Sequence, residues 1–218
     1  MGKKGFIFDL DGVIVDTAGF HYLAWRNLAH ELGFEFTEKQ NERFKGVSRV
    51  RSLEILLEIG DVKATQEQKE SWLVSKNEEY LSYISKMTSN DILPGVLKVL
   101  DYLQEKQIPM ALGSASKNAQ PILKRVGLFD RFDSIVDGNH VTKAKPDPEV
   151  FTIGADALGV AYTDAVVFED SIAGIQAANR VDMVSIGIGD AQVLHEADHN
   201  FKDFTEIDTA FLDQLINA

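Results

Sequence analysis

Cysteine is absent from the sequence, which excludes disulfides, thiolate nucleophiles and zinc sites built on thiolates. Long apolar runs are also missing. The opening MGKKGFIFDLDG has an apolar stretch that Asp9 interrupts, so it fits neither a signal peptide nor a membrane span. The histidines show no metal-ligand spacing. We therefore expect a cytoplasmic protein without a thiolate or histidine metal centre.

Positive charge is scarce, with 22 Lys and Arg residues against 34 Asp and Glu residues and a formal net charge of -12. This balance argues against nucleic acid or an anionic membrane as the main partner. A small anionic substrate remains compatible with it, because a few local cations can govern a pocket. The 218 residues, 44% of them hydrophobic, suffice for one large domain or for a main domain with a smaller inserted one, and we expect a soluble monomer.

Short apolar runs recur along the chain as GFIF, IPMALG, DSIV, AVVF and MVSIGIG. Each is apolar at successive positions, as is typical of parallel strands covered on both faces. Helix-like segments separate them, one with an apolar face at Leu97, Leu100 and Leu103. The alternation predicts an α/β fold with a doubly wound parallel sheet.

A long helical interval, roughly residues 18 to 87, separates the first strand from the second. Two capping boxes, Thr37 with Gln40 and Thr65 with Gln68, indicate helix starts within it. Connections between a strand and a helix usually take a handful of residues, so about seventy indicate an inserted helical cap domain, a lid over the strand ends. The predicted boundaries are residues 17–87 for the cap and residues 1–16 and 88–218 for the α/β core.

Acidic side chains follow two of the predicted strands. Asp9 and Asp11 follow the first strand, and Glu169 and Asp170 follow AVVF. Carboxylates this close repel one another unless a cation offsets the repulsion, and ligands of open α/β sheets bind beyond the carboxyl ends of the strands. These four carboxylates therefore predict a Mg²⁺ site at one rim of the sheet. Lys145, in the stiff loop KAKPDP, is expected nearby.

The strand IPMALG leads into Ser114, Ala115 and Ser116, with Asn118 at a predicted helix start. Free amides and hydroxyls at such a position suit an anion. A carboxylate that faces a phosphoryl group held by Mg²⁺ and lysine can form an aspartyl-phosphate. This chemistry fits Asp9 as the nucleophile, with Asp11 as the acid/base.

Arg49 lies where a cation is disfavoured unless an anion binds. Ser48 is a predicted N-cap, so Arg49 falls in the first helical turn, where the macrodipole opposes its charge by about 0.3 to 1 kcal/mol. An anionic partner would reverse that sign. We therefore expect Arg49, with Lys45 one turn away, to grip the phosphate that is not transferred.

Ordinary structural roles exist for most of these residues. An isolated Asp9 and Asp11 pair could form a strand-end turn, and Ser114 and Ser116 could cap a helix. His21 on a helical stripe is more often a satisfied core histidine than a catalyst. Packing of the lid would explain Trp25 and Tyr80, and plain surface charge would explain Lys45, Arg49, Lys76 and Lys145.

Five sequence segments together resemble the haloacid dehalogenase superfamily and, within it, the β-phosphoglucomutase family. They are DLDGV followed by DT, SAS followed by KN, KPDP, FEDSIAGIQAA, and KGVSR at residues 45 to 49. The resemblance covers nearly the whole chain. It implies Asp9 as the nucleophile, Asp11 as the acid/base, and Mg²⁺ held by Asp9, the Asp11 carbonyl, Glu169 and Asp170.

Substrate contacts are also implied by this resemblance. Ser114, Ala115 and Lys145 would hold the transferring phosphoryl group, with Ser116 and Asn118 near the second phosphate. The implied contacts on the cap side are Thr17, His21, Trp25, Lys45, Gly46, Arg49 and Lys76.

Three activities remain open at this point. A mutase would interconvert β-D-glucose 1-phosphate and glucose 6-phosphate through a sugar bisphosphate, with a lid that excludes water. A sugar-phosphate phosphatase would admit water to the same core. A non-catalytic phosphosugar-binding protein would be expected to have lost Asp9 or Asp11, and both are present.

Overall fold

A computed structural model describes residues 3–44 and 47–218. The described chain contains a six-stranded parallel sheet in the order β3-β2-β1-β4-β5-β6. This arrangement confirms the predicted α/β fold. The strands are β1 Gly5–Phe8, β2 Met110–Gly113, β3 Ser134–Val136, β4 Ala165–Glu169, β5 Val184–Ile188 and β6 His199–Phe201.

Strand β1 lies in the middle of the sheet and is buried along its whole length. It pairs with β2, where Phe8 faces Leu112, and with β4, where Phe8 faces Phe168. Successive side chains of a strand point to opposite faces. Accordingly Phe8 packs in the cluster on one face of the sheet, and Ile7 packs in the cluster on the other. The chain segments after β1, β2 and β4 therefore leave the sheet side by side.

Helices α5 to α9 contribute buried residues to the hydrophobic clusters on the two faces of the sheet. In α5 the buried residues are Val96, Val99, Leu100 and Leu103, whereas Leu97 is 43% exposed. The prediction for Leu97 was wrong because the apolar face begins at Val96, one position earlier. The bounds are α5 Val96–Glu105, α6 Ala119–Val126, α7 Glu149–Leu158, α8 Ile172–Asn179 and α9 Thr209–Asn217.

The first four α-helices that the structure describes after β1 form the cap: α1 Ala18–Glu31, α2 Glu38–Asn41, α3 Arg49–Gly60 and α4 Gln66–Ile84. Both predicted capping boxes are formed, at the start of α2 and at the start of α4. Helices α1 and α3, with Phe36 of the connecting loop, share a hydrophobic cluster that includes Trp25, Leu28, Leu53 and Leu56. Within the described ranges, no helix has the length and apolar composition that a membrane crossing requires.

The two connections between cap and sheet run beside each other. Val15 and Ile92 form an antiparallel bridge, and the Leu93 amide donates to the Ile14 carbonyl at 3.0 Å. The Asp16 amide donates to the Asp91 carbonyl at 3.2 Å. These contacts lie close to the predicted boundaries at residues 17 and 87, which stay predictions.

Candidate active site

Lys145 connects the ends of three neighbouring strands. Its ammonium group donates to Asp9 Oδ1 at 2.6 Å, to Glu169 Oε1 at 2.5 Å and to the Gly113 carbonyl at 3.2 Å. Asp9 follows β1, Gly113 ends β2 and Glu169 ends β4. All three charged side chains are buried. The predicted approach of Lys145 to Asp9 is therefore present in the structure.

Burial and neighbouring charges set the protonation of this network. The pKa of Asp9 is raised to about 7, chiefly by burial and further by Glu169 and Asp11, while Lys145 works in the opposite direction. The pKa of Lys145 is raised: burial opposes its charge, but Asp9 and Glu169 outweigh burial. The lysine thus stays charged beside a carboxylate that changes protonation near neutral pH.

The loop that delivers Lys145 is held at both ends. Glu149, the first residue of α7, accepts hydrogen bonds from the amides of Thr142 at 2.8 Å and Lys143 at 2.6 Å. Arg180 donates to the Pro146 carbonyl at 2.7 Å. The Lys145–Pro146 peptide bond in this loop is cis. Sequence reasoning did not identify Glu149 or Arg180, because neither precedes or follows a strand end.

Asp11 is held by Thr17, the residue that precedes helix α1. The Thr17 hydroxyl donates to Asp11 Oδ1, and Thr17 makes no side-chain hydrogen bond that caps its helix. Burial raises the pKa of Asp11, and the bond from Thr17 partly offsets that effect. Thr17 is fully buried and does not line the cavity described below. The structure therefore places Thr17 against Asp11 rather than on the substrate-facing wall.

The loop after β2 carries the predicted phosphate contacts. Ser114 Oγ accepts from the Ser116 amide at 3.1 Å, and Ser116 Oγ accepts from the Asn118 amide at 3.2 Å. Both hydroxyls therefore stabilise the loop rather than the helix that follows. Asn118 also reaches the cap, where its side-chain amide donates to Asn77 Oδ1 at 3.0 Å. Ala115 lies on the same wall of the cavity.

On the cap side, Lys76 is buried at 3% exposure among aromatic rings. Its ammonium lies 3.0 Å from His21 Nδ1 and 4.6 Å from the Trp25 ring centroid. Burial and Arg49 lower the pKa of Lys76 to about 7, opposed by Asp11 and Glu79. The pKa of His21 is lowered well below its usual value by burial and by Lys76. His21 is thus neutral and can accept a hydrogen bond from Lys76.

Arg49 begins helix α3, as the sequence predicted, and Ser48 caps that helix through a hydrogen bond from the Arg51 amide. Burial lowers the pKa of Arg49. Its side chain lines the cavity together with Lys76. The predictions for Lys45 and Gly46 fall on residues outside the described ranges.

A cavity of about 530 Å³ lies between the cap and the strand ends. It brings together most of the predicted residues, whereas Thr17 and Glu169 are buried behind its wall. Sequence reasoning missed other lining residues, including Ser52 and Asn77 on the cap, because they carry no strand-end or motif signal. The predicted residues on the wall are Asp9, Asp11, His21, Trp25, Arg49, Lys76, Ser114, Ala115, Ser116, Asn118, Lys145 and Asp170.

The donor chemistry of this rim fits Mg²⁺. Asp9 and Asp170 line the cavity beside Gly12, which leaves no room for a Cβ atom next to Asp170. Burial is the main cause of the raised pKa of Asp9, with smaller contributions from Glu169 and Asp11, and a bound cation would favour the ionised carboxylate. Glu169, however, has Oε1 on Lys145 and Oε2 on the Ser171 amide and hydroxyl. In the described ranges, no three acidic or histidine side chains form a ready-made metal cluster.

Comparison with known proteins agrees with this geometry. The model of the haloacid dehalogenase-like hydrolase family matches residues 3–182. The chain belongs to this family. A haloacid dehalogenase-type enzyme is thereby established, with Asp9 directly after its first strand.

Three relatives within the family are informative. The β-phosphoglucomutase of Bacillus subtilis is 42% identical over 89% of this chain and 87% of the relative. A phosphorylated carbohydrates phosphatase of Thermotoga maritima is 32% identical over 89% of this chain and 91% of the relative. The crystal structure of β-phosphoglucomutase from Clostridium difficile superposes with a TM-score of 0.94, at 40% identity, and covers 99% of this chain and 97% of that one.

Proposed function

We propose that this protein interconverts β-D-glucose 1-phosphate and glucose 6-phosphate through an aspartyl-phosphate on Asp9 and a glucose 1,6-bisphosphate intermediate. The observation that carries the proposal is that basic side chains lie at two opposite sides of one cavity. Lys145 lies at the strand ends, and Arg49 and Lys76 lie on the cap. A sugar with a phosphate at each end matches this arrangement. The similarity to two β-phosphoglucomutases supports the choice of sugar.

The first transfer moves the phosphoryl group from Asp9 to the sugar. The C6 hydroxyl of β-glucose 1-phosphate attacks the phosphorus, and its proton goes to the Asp11 carboxylate. The bond between phosphorus and the Asp9 oxygen breaks, which returns Asp9 to a carboxylate. Lys145, Ser114 and the loop amides beside Ala115 hold the phosphoryl oxygens during this step.

The second transfer reverses these roles at the other end of the sugar. After the bisphosphate turns over in the cavity, an Asp9 oxygen attacks the phosphorus on C1. Asp11 returns its proton to the departing C1 oxygen, and glucose 6-phosphate leaves. Arg49 and Lys76, with Ser116 and Asn118, hold the phosphate that is not reacting. Closure of the cap must exclude water, because water would hydrolyse the aspartyl-phosphate.

Mg²⁺ is the cofactor that we propose for this site. Asp9, Asp170 and the Asp11 carbonyl would hold it, and Glu169 stays a predicted ligand that would have to share its carboxylate with Lys145. When bound, the ion supplies charge neutralisation around the transferring phosphoryl group. We also propose a cytoplasmic monomer that acts on a small sugar phosphate.

A sugar-phosphate phosphatase is the second candidate. The relative from Thermotoga maritima, a phosphorylated carbohydrates phosphatase, shares the family and most of the chain. Asp11 would then activate water instead of a sugar hydroxyl. A non-catalytic phosphosugar-binding protein is disfavoured, because Asp9 and Asp11 are both present and Lys145 contacts Asp9.

Phosphorus NMR of β-glucose 1-phosphate with the protein, Mg²⁺ and a trace of glucose 1,6-bisphosphate tests the proposal. We expect glucose 6-phosphate without inorganic phosphate. The Asp9→Asn variant should abolish conversion, since an amide cannot accept the phosphoryl group. Inorganic phosphate as the main product would instead support the phosphatase, and an unchanged spectrum would support the binding protein.

A further inference from the structure

Tyr80 places a buried phenol in the wall of the cavity. The residue lies on helix α4 at 0% exposure and lines the cavity. Within the ranges that the structure describes, its hydroxyl oxygen makes no hydrogen bond of ordinary geometry. A buried polar group without a partner destabilises the fold. A phenylalanine would fill the same space without this penalty, so the hydroxyl calls for a functional explanation.

Packing fixes the position of the Tyr80 ring. The His21 ring stacks on it with centroids 4.0 Å apart and planes 24° apart. The Lys76 ammonium lies 4.7 Å from the ring centroid on the neighbouring turn of the same helix. With two substrate-facing side chains against it, the ring has little freedom to turn away. The direction of its hydroxyl is therefore set by the cap itself.

The Tyr80 hydroxyl is affected by the acid/base residue Asp11 and by its partner Thr17. Burial raises the pKa of Tyr80 well above its usual value, the Asp11 charge raises it further, and the Thr17 hydroxyl lowers it. The phenol therefore remains protonated and can donate. The Thr17 hydroxyl uses its proton on Asp11, and its oxygen keeps lone pairs that can accept.

We propose that Tyr80 is a positioning residue for Asp11. During proton transfer its hydroxyl donates to Thr17 Oγ1 and keeps the Thr17 hydroxyl directed at the Asp11 carboxylate. A chain of hydrogen bonds strengthens each of its members, so the donation from Tyr80 also strengthens the bond from Thr17 to Asp11. The proposal rests on the proposed function only in that Asp11 exchanges a proton with a sugar oxygen.

Two single-atom deletions on helix α4 provide a matched test. Tyr80→Phe removes the hydroxyl that acts on Thr17 without a hydrogen bond of ordinary geometry, whereas Tyr83→Phe removes one that donates to Glu79 at 2.6 Å, away from the cavity wall. Each variant is assayed with the sugar phosphate and with p-nitrophenyl phosphate. The sugar alkoxide needs a proton to leave, while p-nitrophenolate leaves without one.

For Tyr80→Phe we expect kcat with the sugar phosphate to fall about 10-fold to 100-fold with little change in KM. The first-turnover burst of p-nitrophenolate should stay within about twofold of the wild-type value, because that step needs no acid. Tyr83→Phe should leave both reactions unchanged. Thermal unfolding of Tyr80→Phe should occur at the wild-type temperature or above it, since the substitution removes a buried oxygen that makes no hydrogen bond of ordinary geometry in the free protein.

Equal losses on both substrates would show a merely structural role for Tyr80 and overturn the proposal. An unchanged kcat with the sugar phosphate would also overturn it. A wild-type protein that releases inorganic phosphate instead of isomerising the sugar would overturn the mutase alone. The comparison of the two tyrosine variants would remain valid, because hydrolysis of a sugar phosphate also places a proton on the departing alkoxide.

Discussion

At the scale of single residues, the charges in the cavity depend on burial as much as on neighbouring ions. Asp9 and Lys76 come from opposite sides of the cavity, and each has a pKa shifted to about 7. Burial is the largest cause in both cases, and it disfavours the charged form of each group. A bound cation beside Asp9 and a bound phosphate beside Lys76 would restore the two charges.

The pKa of Lys76 predicts a pH dependence. As the pH rises through 7, the free protein loses the positive charge on Lys76, while a sugar phosphate is already dianionic because its second pKa is about 6. We therefore expect kcat/KM for the sugar phosphate to fall above pH 7, by about tenfold per pH unit where binding depends on this charge. Steady-state kinetics between pH 6 and 9 measure the effect.

Lys76→Met retains the length of the side chain without its charge. Its kcat/KM should be low already at pH 7 and should lack the alkaline fall. Lys86→Met, which removes an exposed lysine just after helix α4, should keep the wild-type profile. An alkaline fall that persists in Lys76→Met would assign that limb to another group.

Residues at strand ends were predictable, and residues that act across the domain boundary were not. Asp9 and Asp11 were identified because they follow an apolar run, and Lys145 because of its stiff loop. The position of Tyr80 near Thr17 depends on how helix α4 packs against helix α1. Hydrophobic periodicity gives no information about that packing, so the sequence indicated only a packing role in the lid for Tyr80.

At the scale of elements, the loop before α7 determines where Lys145 lies. The Glu149 carboxylate accepts hydrogen bonds from the amides of Lys143 and Thr142 and from the Thr142 hydroxyl. These bonds hold the pKa of Glu149 below its usual value. The carboxylate is therefore ionised at neutral pH and remains an acceptor. Through the Lys143 amide it holds the loop two residues before Lys145, which contacts Asp9, and three residues before Pro146.

Removal of this tether should reduce turnover. In Glu149→Ala the Thr142 and Lys143 amides lose their acceptor, and a shift of about 1 Å at Lys145 can lower kcat up to 100-fold. We expect a reduction of about 10-fold to 100-fold with a smaller change in KM. Glu149→Asp, with a shorter carboxylate, should recover part of the loss.

Glu105→Ala provides the matched control, because it removes an exposed glutamate from the end of helix α5. Its kinetic constants should equal those of the wild type. Wild-type kcat in Glu149→Ala would mean that the contact of Arg180 with Pro146 alone suffices to hold the loop.

Five of the six strands correspond to apolar runs in the sequence, and β6 does not. It comprises only His199–Phe201, with no apolar run, and pairs with β5 at the edge of the sheet. Part of its position is fixed by Asp198, which accepts from the Ser185 amide at 2.8 Å. A polar edge strand that depends on such side-chain contacts has no periodicity to detect.

At the scale of the whole molecule, the order of the strands creates the active site. Strand β1 lies between β2 and β4, although β4 follows much later in the chain. The sequence predicted the elements and the inserted cap, but it does not state which strands are neighbours. That order decides that Lys145 can contact Asp9 and Glu169 together.

Binding of Mg²⁺ at this rim should stabilise the entire fold. At 100 times the dissociation constant, a ligand specific for the native state adds about 2.7 kcal/mol. For a chain of this size, this corresponds to a rise in Tm of roughly 5 to 11 °C. Differential scanning calorimetry in MgCl2, compared with NaCl at equal ionic strength, measures the rise and corrects for general screening of the net charge of -12.

The variant that separates specific binding from general screening is Asp170→Asn. It removes a proposed ligand, so most of the Mg²⁺-dependent rise in Tm should disappear. Asp130→Asn changes the net charge equally at an exposed position and should keep the full rise. If both variants lost the rise to the same extent, the ion would be acting on the overall acidity of the molecule. The proposed magnesium site at Asp9 and Asp170 would then be wrong, and Lys145 would be the cation that opposes the effect of burial on the pKa of Asp9.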